Sequence, residues 1–267
     1  MASAAEPQIQ VTVDEAEARG LVARITINHQ ARLNILNTPL ILALTSAIHD
    51  LRDNDRLRVV IVTGAGDRAF IGGADIKEMV GLDVASARAF IARLHLACAA
   101  LRALPVPVIA RVSGYCLGAG LEVAASCDLR VAAEHSTFGM PEVQVGIPSV
   151  IEAALLPRLI GFGKAAELVL TGTTLSAAEA LRCGLVECVV PRAELDHAVE
   201  RWTHAILQAG PTAVRLQKAL LHAWARLPLE QAIAHGIESF AAAYRTAEPQ
   251  ELMTKFLQRD RHSTEEL

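Results

Sequence analysis

The chain has 267 residues, 52% of them hydrophobic and only 4% aromatic, with net charge −4 and a pI near 6.1. That is enough apolar material for one large core or two modest ones, built on Ala, Leu, Val and Ile. Four lysines and dispersed arginines speak against a nucleic-acid or membrane-surface binder, and no uninterrupted apolar run reaches the ~18 residues of a membrane span.

In chain order, Ile9, Val11 and Val13, then Val22, Ile25 and Ile27, predict two strands around an acidic turn. Thr38 is placed to cap a helix from Pro39 to about Arg52, with Ile41, Leu42, Leu44, Thr45 and Ile48 at helical period. Arg58 to Thr63 reads as a buried strand, followed by a glycine-rich loop and helical segments to about Leu104. Pro107 to Val112 is a second buried strand. Gly114 to Gly120 is a second glycine-rich stretch that leads into a helix ending near Cys127, and Leu129 to Ala132 is a third strand. Strand, glycine-rich loop and helix thus occur twice, which is α/β logic with crossovers. Beyond Pro141 the segments 151–160, 162–171, 176–183, 193–209, 211–226 and 229–245 read as helix, with one short strand between Leu185 and Val190.

The five cysteines form no CxxC pair and sit in apolar contexts, as expected for buried, reduced thiols. The first ten residues lack the basic and apolar regions of a signal peptide, so the expected location is cytoplasmic. The nine histidines show no metal spacing; His95 and His135 read as surface or satisfied core groups.

Residues 59–75, VVIVTGAGDRAFIGGAD, contain a G-x-G-x-x-A pattern ending at Ala69. A dinucleotide loop of that form opens a helix and is followed about twenty residues on by an acid closing the next strand. Here Gly72-Gly73 follows, a poor helix start, and Asp83 opens a helical stretch instead. Neither Tyr115 nor Tyr244 has a lysine four residues on. A nicotinamide oxidoreductase is therefore disfavoured, and Gly64 and Gly66 read as a tight turn leaving a strand.

The chemistry lies in two later stretches. Phe70-Ile71-Gly72-Gly73-Ala74-Asp75-Ile76 and Gly114-Tyr115-Cys116-Leu117-Gly118-Ala119-Gly120-Leu121-Glu122 both follow a buried strand and precede a helix start. Small residues let a ligand approach the backbone, and free N–H groups there favour developing negative charge. Two carboxylates accompany them: Glu122, in a segment too apolar for a surface helix, and Glu142, after Pro141 in a segment poor in other charges. Twenty residues apart, they meet only through the fold.

With Ala69–Met79, Ser113–Glu122 followed by Cys127-Asp128, and Phe138-Gly139-Met140-Pro141-Glu142, the chain resembles the crotonase superfamily, and enoyl-CoA hydratases most of all. Arg32-Leu33-Asn34-Ile35-Leu36-Asn37 is similar to that family's segment near the CoA moiety, and Leu170-Thr171-Gly172 and Ala180–Val186 to later motifs. The resemblance spans about residues 20 to 260. It implies an α/β fold, a spiral of repeated ββα units with a helical C-terminal region. Residues 1–200 form the core with the acyl-CoA site, and 201–267 a helical trimerisation region.

It further implies that the N–H groups of Ala74 and Ala119 bind the thioester oxygen, an effect worth a few kcal/mol per donor. Ala119 stands where glycine is common and keeps the donor. Glu122 would help activate a water for attack at the β-carbon and Glu142 would deliver a proton to the α-carbon, with a pKa raised by burial beside another carboxylate. Arg32, Asn34, Leu36, Gly72, Gly73, Asp75, Ile76, Lys77, Gly118 and Ser149 would hold CoA or substrate. No metal or separate cofactor is expected, because CoA arrives with the substrate. The partners are the acyl-CoA and the chain itself, as a trimer or paired trimers in which Lys255 and Phe256 reach an adjoining CoA site.

One stretch departs from the family pattern. Where many hydratases carry P-G-x-G-G, this chain has Pro148-Ser149-Val150-Ile151-Glu152. Ser149 replaces a glycine whose N–H helps hold the water, though its own N–H is still available. Glu152 reads as a first-turn helix acid, favourable to the dipole; the other reading is a third carboxylate with a say in substrate choice. The expected reaction is hydration of a 2-enoyl-CoA. The alternative within the superfamily is Δ3,Δ2-enoyl-CoA isomerase, for which one glutamate suffices. A non-catalytic RNA-binding relative should carry a lysine-rich helix, and the 39–52 helix has Arg52 as its only Lys or Arg.

Overall fold

The computed structural model describes residues 7–16 and 19–264, with side chains to 258. Residues 1–6, on which most of the signal-peptide reading falls, and 17–18, in the acidic turn, lie outside the described residues. The chain divides into two compact units, 1–203 and 204–267.

The first unit carries two sheets. The larger has six strands in the order β1 (Gln8–Glu15), β2 (Leu21–Asn28), β3 (Leu57–Gly64), β5 (Val108–Val112), β7 (Leu129–Ala133) and β10 (Cys188–Val190). Only β1 and β2 pair antiparallel; every other neighbour is parallel. β3 is buried along its whole length, which is why it reads as a continuous apolar run rather than an alternating one.

The strands of the second sheet, implied by the ββα resemblance, carry no signal of their own in the sequence. This sheet has four strands of three residues each, in the order β4 (Ala69–Ile71), β6 (Tyr115–Leu117), β8 (Thr137–Gly139) and β9 (Thr174–Ser176). Three strands of the large sheet hand the chain to a short strand of the small one: β3 to β4, β5 to β6, β7 to β8. A helix or 3-10 turn then returns it: α2 (Ile76–Met79) with α3 (Val84–Ala103) after β4, α4 (Ala119–Ala125) after β6, and the 3-10 turn Pro141–Val145 after β8. This is the ββα spiral. Runs of three residues beside glycine carry no usable period, and they are strands only because distant strands pair with them.

The same hand-over disposes of the nucleotide-loop pattern. The residues after Gly66, which has φ +70°, enter β4 and not a helix. A Cβ on Gly64 would lie 2.1 Å from the Phe70 carbonyl, so this glycine is required by a close backbone approach.

Helix α1 (Thr38–Arg52) forms as expected, but its N-cap is Asn37, whose side chain accepts from the Leu40 N–H at 3.1 Å. Thr38, the expected cap, instead bonds through its N–H and hydroxyl to Glu78. Helix α3 is long and apolar enough to cross a membrane by length and composition, yet Phe90, Leu94, Ala97, Cys98 and Leu101 bury a stripe of it in the core. None of the five cysteines, all among the described residues, forms a disulfide; three are buried and two half-buried.

After β8 come the 3-10 turn Ile151–Leu155, α5 (Leu156–Ile160), α6 (Phe162–Thr171), α7 (Ala177–Arg182) and α8 (Leu195–Gln208), within which the first unit ends. The second unit contains α9 (Pro211–Trp224), α10 (Leu229–Ala243) and α11 (Glu248–Thr264). The Glu248 carboxylate satisfies the first-turn N–H groups of α9, bonding Thr212 and Ala213 at 2.9 Å each.

Candidate active site

The two glycine-rich stretches meet because of Gly120. A Cβ there would lie 2.1 Å from the Ile71 carbonyl oxygen, so α4 packs directly on the end of β4. That contact brings Ala74 and Ala119 to one cavity of about 330 Å³, which Glu122 and Glu142 also line. Ala74 pairs with Leu36 in a parallel bridge in which its neighbours make the bonds: Leu36 N–H to Gly73 and Asp75 N–H to Leu36. In such a bridge the central N–H faces away from its partner strand. Ala119 is the first residue of α4, so its N–H has no acceptor within the helix. The preceding Gly118 has φ +51° and ψ −118°, a combination open to glycine alone.

The carboxylates come from different elements. Glu122 lies on α4, whose seven residues are all buried, and is itself 4% exposed. Its Oε1 accepts from the Ala153 N–H at 3.2 Å. Burial pushes its pKa up to about 9, the Ala153 bond opposes the shift, and the charges of Glu142 and Glu152 add to it. Glu142, in the 3-10 turn after β8, is only partly buried. Its Oε2 accepts from the Ser149 hydroxyl at 2.9 Å, and its Oε1 would touch a Cβ on Gly118 at 2.3 Å. The carboxyl that burial raises is that of Glu122, on the buried α4.

A second, smaller cavity of about 140 Å³ adjoins through Ala74 and Glu142 and is lined by Gly72, Gly73, Ile76 and Gly118. Asp75 and Arg32 form a two-pronged ion pair at 2.7 and 2.9 Å. That guanidinium holds the Asp75 carboxyl below the usual carboxylate range. Asp75 also caps α2 through the Lys77 N–H at 3.0 Å. Asp75→Ala is expected to cost about 1 kcal/mol through the lost cap, read by denaturant unfolding; an unchanged midpoint would contradict the capping role. The Lys77 side chain is exposed.

Asn34 and Leu36 are placed differently from the expectation that they contact substrate. The Asn34 amide is spent on the protein, bonding Ala65 and Ala69 and accepting from His29, and Leu36 is fully buried. They shape the loop that carries Ala74. The readings of Glu152 change too. It does lie in the first turn of the 3-10 segment Ile151–Leu155, but it is 3% exposed and bonded to Arg102 and His95 of α3, and it is not among the residues lining the two cavities. The Ala153 donor has no sequence signal at all, since it joins residues 31 apart through a backbone group.

A cavity with two carboxyls and two backbone N–H donors, at the ends of parallel strands in two linked sheets, is one that can stabilise negative charge on a carbonyl oxygen and move protons nearby. The family model for enoyl-CoA hydratase/isomerase matches residues 17–265, and the chain belongs to that family. It is 36% identical over 244 residues to the short-chain-enoyl-CoA hydratase of Clostridium acetobutylicum, covering 91% of this chain and 94% of that one. It is 37% identical over 239 residues to the crotonyl-CoA hydratase of Syntrophomonas wolfei, covering 89% and 92%. Its fold matches the crystal structure of an enoyl-CoA hydratase from Mycobacterium smegmatis with a TM-score of 0.90, at 31% identity, over 95% of this chain and 97% of that one.

Proposed function

We propose that this chain is an enoyl-CoA hydratase, adding water reversibly and syn across the double bond of a 2-enoyl-CoA to give the 3-hydroxyacyl-CoA. The observation that carries the reading is the placing of both carboxyls, Glu122 and Glu142, on the cavity that Ala74 and Ala119 line. An isomerase needs only one proton shuttle; a water held for attack needs partners on two sides.

The thioester oxygen lies against the Ala74 and Ala119 N–H groups, which take up the charge that builds as the β-carbon is attacked. The reaction needs one proton held on the two carboxyls. In the ligand-free protein burial puts that proton on Glu122. Water bound between them lets the pair pass it across, so that Glu122 accepts a proton from the water as its oxygen bonds to the β-carbon. Glu142 gives its proton to the α-carbon. The pair ends with one proton, as it began. Ser149 holds Glu142 through its hydroxyl, a role the family's glycine cannot fill.

Loss of crotonyl-CoA absorbance in the ultraviolet tests the reading. Turnover is expected, with kcat/KM falling as pH rises through about 9, where Glu122 loses its proton. Isomerisation of a 3-enoyl-CoA without any hydration would replace the reading with the isomerase one. Self-association belongs to the same proposal. In the second unit Trp224, Leu229, Ile233, Ile237 and Phe240 leave an apolar groove open, with Phe256 exposed on α11, and a trimer would cover such a surface.

A further inference from the structure

The 3-10 turn Ile151–Leu155 has two features that the chemistry above leaves unused. Ile151 has φ +41°, in the left-handed region where a β-branched residue is strained. Glu152 beside it is buried, accepting from His95 Nδ1 at 2.9 Å and from the Arg102 guanidinium. Both bonds fall on Oε1, and Oε2 has no hydrogen-bond partner. A strained backbone and a half-satisfied buried carboxylate are each unfavourable. Side by side, they persist where something else is gained. The next residue is Ala153, whose N–H donates to Glu122.

We propose that Glu152 is a positioning residue for Glu122. Its bonds to Arg102 and His95 pin the 151–155 turn to α3, hold Ile151 in the left-handed region, and so set the Ala153 N–H on the Glu122 carboxyl. A charge-assisted bond to a guanidinium is among the stronger anchors a buried turn can have. Arg102 and His95 sit seven residues, about two turns, apart on α3 and reach one oxygen from the same face of the helix. The proposal rests on Glu122 being catalytic.

The test uses three full-length variants, Glu152→Gln, Ile151→Gly and the pair together, with Glu122→Gln alongside. Two readouts are followed: crotonyl-CoA kinetics, and amide hydrogen exchange over 150–155. Glu152→Gln is expected to lower kcat about ten-fold or more with KM nearly unchanged, and to speed exchange of the Ala153 amide. Adding Ile151→Gly should recover about three-fold or more of that kcat, because glycine adopts the left-handed conformation without an anchor. Wild-type kcat and exchange in Glu152→Gln would overturn the proposal, as would a double variant no better than Glu152→Gln. So would a moved alkaline limb with unchanged exchange, which would mean that Glu152 acts by charge alone. Should Glu152→Gln fail to fold, Glu152→Asp keeps the charge and shortens the reach; full kcat in that variant would equally overturn it. If the wild type turns over no enoyl-CoA, or Glu122→Gln loses nothing, the reading of Glu122 fails, while exchange at Ala153 still reports on the anchor.

Discussion

Glu122→Gln is expected to abolish most hydration and at the same time to make the protein more stable at alkaline pH. Removing one member of an acid–base pair lowers kcat by roughly 10² to 10⁴-fold. The stability effect follows from the direction of the pKa shift. Burial raises the Glu122 pKa from 4.5 to about 9 on folding. Between those values the folded chain holds a proton that the unfolded chain has released. Wild-type stability therefore falls as pH rises through that window, with a slope of about 1.4 kcal/mol per pH unit from this group. It is flat above the window. The glutamine variant lacks the slope and can still accept the Ala153 N–H. Between pH 5 and pH 8 the difference in unfolding free energy should thus open by something on the order of 4 kcal/mol in favour of the variant. Denaturant unfolding of both proteins at several pH values measures it. A difference that does not change with pH would show that Glu122 is not the buried, proton-holding carboxyl, and full turnover would remove it from the mechanism.

Gly120→Ala should damage stability and catalysis together. Its Cβ would stand 2.1 Å from the Ile71 carbonyl oxygen and 2.9 Å from the Ile71 Cβ. The first of these is backbone, so no rotamer change relieves it, and α4 must move away from β4. Overpacking of this kind costs about 1–3 kcal/mol, with the rigid obstacle favouring the upper end. The movement separates the Ala119 N–H from the Ala74 N–H, and losing alignment of one oxyanion donor lowers kcat by about 10² to 10³-fold. Gly163→Ala is a control, since a Cβ there meets nothing within 4 Å. Kinetics and unfolding on both variants check the expectation. A fully active Gly120→Ala protein would mean that the approach of α4 to β4 does not set the donors.

The site is built from groups that are unfavourable where they stand: a carboxyl with its charge suppressed, a glycine at a conformation few residues share, a β-branched residue in the left-handed region. Each lies on or beside the cavity lined by Glu122, and the apolar core behind them holds them there.

Much of the fold was legible because its carriers are local. The strands of the large sheet are alternating (β1, β2) or continuous apolar runs, and α1, α3 and α9 have helical period, so their places follow from side-chain pattern alone. Ala74, Ala119, Glu122 and Glu142, singled out through the glycine-rich motifs and the resemblance they carry, all line one cavity. The small sheet was not legible in this way, because three-residue strands take their identity from distant partners. Nor was the cap of α1, where Asn37 and Thr38 are equally suitable by residue type and only Glu78, forty residues on from Thr38, separates them.

The sequence by itself determined which groups are available: two backbone donors beside glycines, two glutamates in apolar company, and an unusual Ile151-Glu152 in place of glycines. Only the tertiary structure decided what each of them does. Burial raises the Glu122 carboxyl because α4 is buried along its whole length, and Glu142, although its neighbours in sequence are as apolar, is only partly buried. Asn34 is tied to the loop and Glu152 to α3, because their partners lie 57 residues or fewer away in sequence but within 3.0 Å in space. Burial, and the direction from which a partner arrives, are properties of the packed chain, and they set charge and role where residue type alone leaves both open.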